Sequence, residues 1–583
     1  MRTKKGNKIF CLVCIAVLIV QYALCIHYGL KREYLFCDEV YSYGLANSTD
    51  HTFLHPGDND EPLNDWVSGT YFSDYMNYGD KTFNYKAAYV NQENDVHPPL
   101  YYMLLHTVCS FFKDQGYSAV PGLILNLILL IFVDICLLYI ASFLLDNRWY
   151  GLIATGLWGI SSVGISNCML IRMYLLQTLN VLAFLAVHVY ILRHKRKMTA
   201  PYFVMLALTV MFGGLTHYYF YFFVAGLGVC VCAYLLYMKQ FKQMFAYGFS
   251  LVAGLGAAIA IFPATIDHIF GYRGSYATSN LAGFAGGKFI KYIKYVNKAY
   301  FAGLLPLLLL VAFVLLVLCI VKRIYDIQFI PERDGLTLRY SLSVKHRNVD
   351  RKITGVVPGR GLLLVAVCIA DIVLAFVGIQ GSQLVSARYI YSALPVMAVF
   401  TVWCMMKLFP VIAKRRSMAV TAALCAMLCA GSLVVNGVDW QYKTYSKVKP
   451  AVEEMKNGEC LIICHGDGMW NNIYAGVNVF SNMDRCRYVY ENDMASVAEC
   501  VQDCGDEMYV AFVNDPKFKF KTMKKKLEHI IKTTKYKAYE VEYNYNGIRI
   551  YKLTVNENVV NDMGGKDDRR IDHENGKFNN SML

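Results

Sequence analysis

Long apolar runs separated by short polar or basic stretches recur from residue 9 to residue 437, and beyond that point short apolar runs alternate with polar ones. The runs at 9–30, 119–145, 149–166, 169–192, 201–216, 217–238, 244–266, 300–321, 361–379, 388–409 and 418–437 each approach the ~20 residues that cross a bilayer. The shorter run 99–112 reads as re-entrant or interfacial. Ile9–Leu30 follows a basic leader, Met1–Lys8, but is long and lacks a small-x-small cleavage site, so it reads as a retained signal anchor.

After residue 440 the pattern predicts strands at 461–464, 508–513, 538–543 and 547–554 and helices at 449–456, 491–502 and 516–532. The predicted fold class is therefore an α-helical polytopic membrane protein of about eleven transmembrane helices with a small C-terminal α/β soluble domain. The expected divisions are a transmembrane module at 1–438, whose first loop is 31–98, an α/β domain at 439–555, and a polar tail at 556–583 expected to be disordered. No internal repeat is visible.

Composition supports this class. The chain of 583 residues is 56% hydrophobic and 17% charged, against roughly 45–50% and 25% for soluble domains. Most of the nineteen cysteines lie in apolar runs, where a thiol acts as a small hydrophobe. Cys460, Cys464, Cys486, Cys500 and Cys504 fall in the C-terminal domain, where pairing is open in an oxidising compartment.

The net charge of +14 sits in short clusters between apolar runs, which argues against nucleic acid as a partner. With the N-terminus cytoplasmic, eleven crossings put Arg193–Lys197, Lys239–Gln243, the loop 322–360 and Lys414–Arg416 on the cytoplasmic side, as the positive-inside bias requires. The same topology makes 31–118, 267–299 and 440–583 external. The loop 31–98 carries twelve acids against four bases. Its aromatic residues, Trp66, Tyr71, Phe72, Tyr75, Tyr78, Phe83, Tyr85 and Tyr89, suit an interfacial element or a headgroup-level belt.

Several polar residues then fall at one membrane face. Asp38 and Glu39, in Phe36-Cys-Asp-Glu-Val-Tyr-Ser-Tyr43, read either as a general base with its neighbour or as a solvated acidic pair. His97, in Asp95-Val-His-Pro-Pro-Leu-Tyr-Tyr102, precedes two prolines that fix the backbone at a helix entrance. Arg172 and Tyr174, in Arg-Met-Tyr, and Arg388 and Tyr389, in Arg388-Tyr-Ile-Tyr391, lie at span ends. A guanidinium there either faces a polar cavity or an anion, or snorkels to the surface. His217 opens a span, and Arg273 lies in the loop 267–299. Asp134 and Asp371 fall mid-span, where an exposed carboxylate costs ~2.5–3.5 kcal/mol, so both are expected to face the bundle interior.

The acidic pair soon after the first span, the loop ending in His97-Pro-Pro-Leu-Tyr-Tyr102, the Arg172-Met-Tyr174 motif and the late Arg388-Tyr-Ile-Tyr391 with Leu394-Pro395 together resemble the GT-C glycosyltransferases. The likeness is to the family-39-like branch related to protein O-mannosyltransferases and aminoarabinose transferases, and covers roughly residues 9–437. The resemblance implies an inverting transfer of a sugar from a polyprenyl-phosphate donor to a protein, polysaccharide or glycolipid acceptor on the external face of the plasma membrane. It implies Asp38 as general base with Glu39 assisting or positioning. It places His97, Arg172 and Arg388 at the donor phosphate and makes Tyr174, His217, Arg273 and Tyr389 substrate-binding.

No metal is obligatory in this reading, although Asp38, Glu39, Asp95 and His97 would suit a hard cation if the loop folds back. Cys464-His-Gly-Asp467 is a poor zinc signal without a second ligand pair. The rival reading is a polytopic transporter or flippase of a lipid-linked sugar or cell-envelope precursor. The absence of repeats and of paired midplane breaks speaks against it.

Overall fold

The structure is a computed structural model that describes residues 2–54, 65–112, 117–194, 198–283, 285–323, 327–334, 337–346, 349–357, 359–382, 384–413, 415–464, 470–490, 496–513, 520–545 and 547–555. The chain divides into two compact units, each assembled from distant stretches of sequence: residues 1–28 with 126–439, and residues 29–125 with 440–583. The tail expected to be disordered at 556–583 lies outside the described residues.

Among the described residues, eight helices are long and apolar enough to cross a membrane, and a ninth crossing is made if one bent pair counts as a single span. Two shorter apolar helices, Ala200–Gly214 and Leu305–Val317, occupy the remaining two predicted runs, and Leu100–Cys109 occupies the interfacial one. The chain is an integral membrane protein. Its bundle packs closely where glycines face a neighbouring backbone: a Cβ at Gly226 would lie 2.9 Å from Ala370 Cα, and one at Gly254 would run into the Ala207 carbonyl.

Three of the predicted spans are less regular than hydropathy suggests. The run 149–166 breaks into Arg148–Gly159 and Ser162–Met169, bent by 59°. Ser161 caps the second piece by accepting from the Gly164 N–H at 3.3 Å, and Gly164 is needed because a Cβ there would strike the Trp158 carbonyl. The helix after it begins at Tyr174, not at 169, so Arg172 sits in an irregular buried stretch just ahead of it. The run 388–409 starts as a 3-10 helix, Ala387–Ala393, before Leu394–Leu408 continues as an α-helix with Pro395 in its first turn.

Two predicted loops are structured. The loop 322–360 holds an antiparallel three-stranded sheet, Ile327–Asp334, Thr337–His346 and Val349–Val357. Residues 267–299 are largely helical, in Thr265–Phe270, Tyr272–Ala282 and Gly286–Ala299. A search for runs of ~20 apolar residues passes over both, because neither element is uniformly apolar.

The second unit is built on a six-stranded sheet in the order 67–68, 485–490, 459–464, 507–513, 548–554, 538–545. The strand 459–464 runs parallel to both neighbours, and the remaining pairings are antiparallel. The four predicted strands are present. The strand Arg485–Tyr490, with two arginines in its first three residues, and the helix Trp470–Phe480 are not among the predicted elements. The edge strand Val67–Ser68 comes from the first loop and pairs with Cys486 and Arg485.

That pairing changes the reading of the loop aromatics. Phe72 and Tyr75 are fully buried, Phe72 against Phe480 and Tyr488, and Tyr75 against Tyr474. They form core in the second unit and not a headgroup belt. Phe83 and Tyr85 remain exposed.

Candidate functional site

The first unit collects its polar residues at the ends of several helices. Tyr174 opens Tyr174–His194, His217 lies in the turn before Phe220–Tyr237, and Arg388 and Tyr389 lie in the 3-10 segment. Tyr174 sits 5.7 Å from the His217 ring and 6.2 Å from the Tyr389 ring, centroid to centroid. The Arg388 guanidinium lies 5.1 Å over the Tyr389 ring and donates from Nη2 to the Tyr389 hydroxyl at 3.2 Å. The Tyr219 N–H donates to His217 Nδ1 at 3.1 Å, which leaves the ring proton of a neutral His217 on Nε2. Arg388, His217 and Arg172 are each only 7% exposed.

The backbone makes this approach through Gly378, on the helix Gly359–Gly381, where a Cβ would collide with the Tyr389 carbonyl. Behind the segment, Tyr292 donates to the Ser386 carbonyl at 3.0 Å, and Lys288 donates to the Ser382 carbonyl at 2.7 Å. Asp439 accepts from Tyr295 at 2.7 Å and from Tyr391 at 3.0 Å. Burial pushes the Asp439 carboxyl up in pKa, while the two tyrosine donors pull it down, with a net rise. Asp439 thereby ties the 3-10 segment to the helix Gly286–Ala299. Sequence inspection missed Lys288, Tyr292, Tyr295 and Asp439, because each is an ordinary residue type outside the motifs, and it gave Tyr391 no role although it closes the Arg388-Tyr-Ile-Tyr391 motif.

The side chain of Arg273 lies outside the described residues. Of the mid-span acids, Asp134 accepts from the Gln21 side chain at 3.3 Å within the bundle, which fits a structural role. Oδ1 of Asp371 is buried without a hydrogen-bond partner.

In the second unit, Asp38 and Glu39 lie in the first turn of the helix Cys37–Asn47, where negative charge complements the helix dipole. Their surroundings differ sharply. Glu39 is fully buried, forms an ion pair with Arg32, and accepts from the Phe36 N–H at 2.8 Å, half of a capping box. Burial lowers the Arg32 pKa to about 10, so the guanidinium is still charged at neutral pH. Asp38 is half-buried, with the Cys37 thiol 4.0 Å from Oδ1.

His97 Nδ1 lies 2.7 Å from Asp95 Oδ2, a contact that holds the ring with its Nε2 turned away from Asp95. Pro98 and Pro99 are buried, and Pro99 occupies the N-cap of Leu100–Cys109.

The helix bearing Asp38 is held by the C-terminal part of the chain. Tyr41 stacks on Tyr474 with centroids 3.8 Å apart and planes at 19°. Phe36 packs 5.1 Å from Trp440 and stacks on Tyr442 at 6.4 Å. Trp440 and Tyr442 both take positive φ, 67° and 46°, a conformation that costs bulky residues free energy and that surrounding packing has to maintain.

Among the described residues, no group of three or more His, Cys, Asp or Glu side chains is placed to hold a metal. Most of Cys464-His-Gly-Asp467 lies outside the described residues. Asp38, Glu39 and His97 thus belong to the second unit, and Arg172, Tyr174, His217, Arg388 and Tyr389 to the first.

No protein-family model matches the chain, and no curated protein matches it in sequence. Among solved structures it is similar to ArnT from Cupriavidus metallidurans bound to undecaprenyl phosphate, with 11% identity, a TM-score of 0.49, and coverage of 92% of this chain and 97% of that one. It is also similar to the apo form of the Archaeoglobus fulgidus oligosaccharyltransferase, with 10% identity, a TM-score of 0.42, and coverage of 86% and 69%. Both are GT-C glycosyltransferases, the superfamily that the motifs resemble. At TM-scores below 0.5 the likeness carries no argument about this chain.

Proposed function

We propose that the protein is a membrane glycosyltransferase that moves a sugar from a polyprenyl-phosphate donor to an acceptor hydroxyl on the external membrane face, with inversion. The observation that carries this reading is the Arg388 cluster: a buried guanidinium fixed by Tyr389 at a span end, beside Tyr174 and His217. A fixed cation in a water-poor setting is suited to charge that develops on a departing phosphate, and aromatic faces suit a sugar ring. Arg172 and His97 are proposed to bind the same phosphate. Tyr174, His217, Tyr389 and Arg273 would contact the donor.

Asp38 is the proposed base, taking the proton of the acceptor hydroxyl as its oxygen forms the bond to the anomeric carbon and the bond to phosphate breaks. Its half-exposed place in the first turn of a helix fits that task, whereas the buried ion pair makes Glu39 a positioning residue. This scheme makes no metal obligatory and leaves room for a divalent cation. The proposal includes a cytoplasmic N-terminus and a location in the plasma membrane.

The experiment is incubation of the purified full chain with radiolabelled polyprenyl-phosphate sugars and membrane acceptors. Labelled product of opposite anomeric configuration supports the proposal, and product of retained configuration contradicts the inverting step. Movement of intact lipid-linked sugar across a vesicle bilayer, without transfer, would support the transporter instead.

A further inference from the structure

The helix Gly286–Ala299 carries four lysines and no acid, in Gly-Gly-Lys-Phe-Ile-Lys-Tyr-Ile-Lys-Tyr-Val-Asn-Lys-Ala. At about 100° per residue, Lys288, Tyr292, Tyr295 and Ala299 share one face. That face is the inner one, where Tyr292, Tyr295 and Ala299 are buried and Lys288 binds the Gln380 and Ser382 carbonyls. The opposite face exposes Ile290 at 56% and Ile293 at 57%, with exposed Lys291, Lys294 and Lys298 along one flank.

On the other flank Phe289 packs 5.7 Å from Phe376. Phe376 is itself exposed, on the apolar span Gly359–Gly381 close to its end, below exposed Ile372 and Ile369. The apolar flank of the helix is therefore continuous with a surface that lipid tails cover, and it meets that surface at the level where the span ends. An apolar strip joined to a bilayer-facing span on one side and edged by lysines with no acid on the same helix on the other is the pattern of a helix lying in the membrane interface.

We infer that Gly286–Ala299 is an interfacial lipid-binding helix: Ile290, Ile293 and Phe289 enter the acyl boundary, and Lys291, Lys294 and Lys298 hold the phosphates of anionic phospholipids. The inner face of the same helix supports the Arg388 segment through Tyr292 and Ser386. Its seating in the bilayer thereby bears on that segment whether or not the protein transfers sugar.

The test uses the full chain in nanodiscs of mixed phosphatidylcholine and phosphatidylglycerol, comparing Ile293→Trp with Ile293→Phe so that the native tryptophans subtract. Ile293 is exposed, so neither change disturbs the core. The added fluorescence is expected to be quenched by brominated lipid and not by aqueous iodide. Quenching by iodide alone, or by neither agent, overturns the inference, the latter pointing to a covering protein. Lipid retained on detergent-purified protein provides the second measurement. Wild type should enrich phosphatidylglycerol over phosphatidylcholine by about fivefold or more, the factor one lysine near an anionic surface supplies. The Lys291→Gln, Lys294→Gln, Lys298→Gln triple variant should approach parity, and undiminished enrichment would overturn the headgroup assignment.

Discussion

Replacing Glu39 by Gln should unfasten the helix Cys37–Asn47 without touching the chemistry directly. The Arg32 and Glu39 side chains are both 0% exposed, and Arg32 Nε also donates to the Tyr34 carbonyl at 3.2 Å. Gln keeps the shape and an acceptor for the Phe36 N–H, but it leaves the Arg32 charge uncompensated in the interior. Removing one member of a buried pair costs ~3–5 kcal/mol, which corresponds to a rise of roughly two to four orders of magnitude in the local opening of the helix. Amide hydrogen exchange, followed by mass spectrometry on a peptide covering 37–47, reads this directly. Asp38→Asn leaves the buried Arg32–Glu39 pair intact and should exchange far closer to wild type than Glu39→Gln. The Arg32→Met, Glu39→Leu double variant should recover most of the protection, since a buried pair can be exchanged for apolar packing at little cost. If Glu39→Gln keeps wild-type exchange yet abolishes activity, Glu39 acts in the reaction and the positioning role is wrong.

Other outcomes follow from the same geometry. Arg388→Lys should lower turnover by about 10²–10³ with an unchanged melting temperature, because an ammonium cannot reproduce the planar guanidinium seated on Tyr389; turnover near wild type contradicts the phosphate role. Tyr474→Ala removes a buried ring stacked on Tyr41 and should destabilise the second unit by ~3–5 kcal/mol, seen as faster exchange of both 37–47 and the sheet strands. Exchange confined to the C-terminal part would show that the Asp38 helix does not depend on it. Burial holds the Asp439 pKa above the ordinary unfolded value of ~3.9, so its protonated form favours the fold. Stability drawn from this group is present at low pH and lost as pH rises from about 4 through the raised folded value. Asp439→Asn should flatten that part of the thermal-stability profile, and an unaltered slope would refute the linkage.

The membrane architecture was legible because apolar runs of bilayer length leave few alternatives; of the four predicted C-terminal strands, 461–464 and 508–513 are uninterrupted apolar runs, and 538–543 and 547–554 alternate apolar with polar residues. What stayed hidden depends on contacts between distant residues. Nothing near Asp38 announces that Tyr41 stacks on Tyr474, or that Val67 extends the C-terminal sheet by pairing with Cys486. Phe72 and Tyr75 suggested a headgroup belt because aromatic composition alone does not separate a belt from a core. Within the site, Tyr174, His217, Arg388 and Tyr389 carried motif signals and do converge. The difference between Asp38 and Glu39 could not be read from adjacent identical charges. It arises from helix phase, which turns Glu39 toward Arg32 and leaves Asp38 half-exposed. The positive φ of Trp440 and Tyr442 had no sequence signal at all, since neither is a residue type that favours it.

Single-turnover transfer by purified Asp38→Asn protein, with a donor and acceptor on which wild type is active, tests the central claim most directly. The account predicts a normally folded protein that still binds the polyprenyl-phosphate donor and transfers about 10²–10⁴-fold more slowly. Transfer at the wild-type rate would contradict Asp38 as the base.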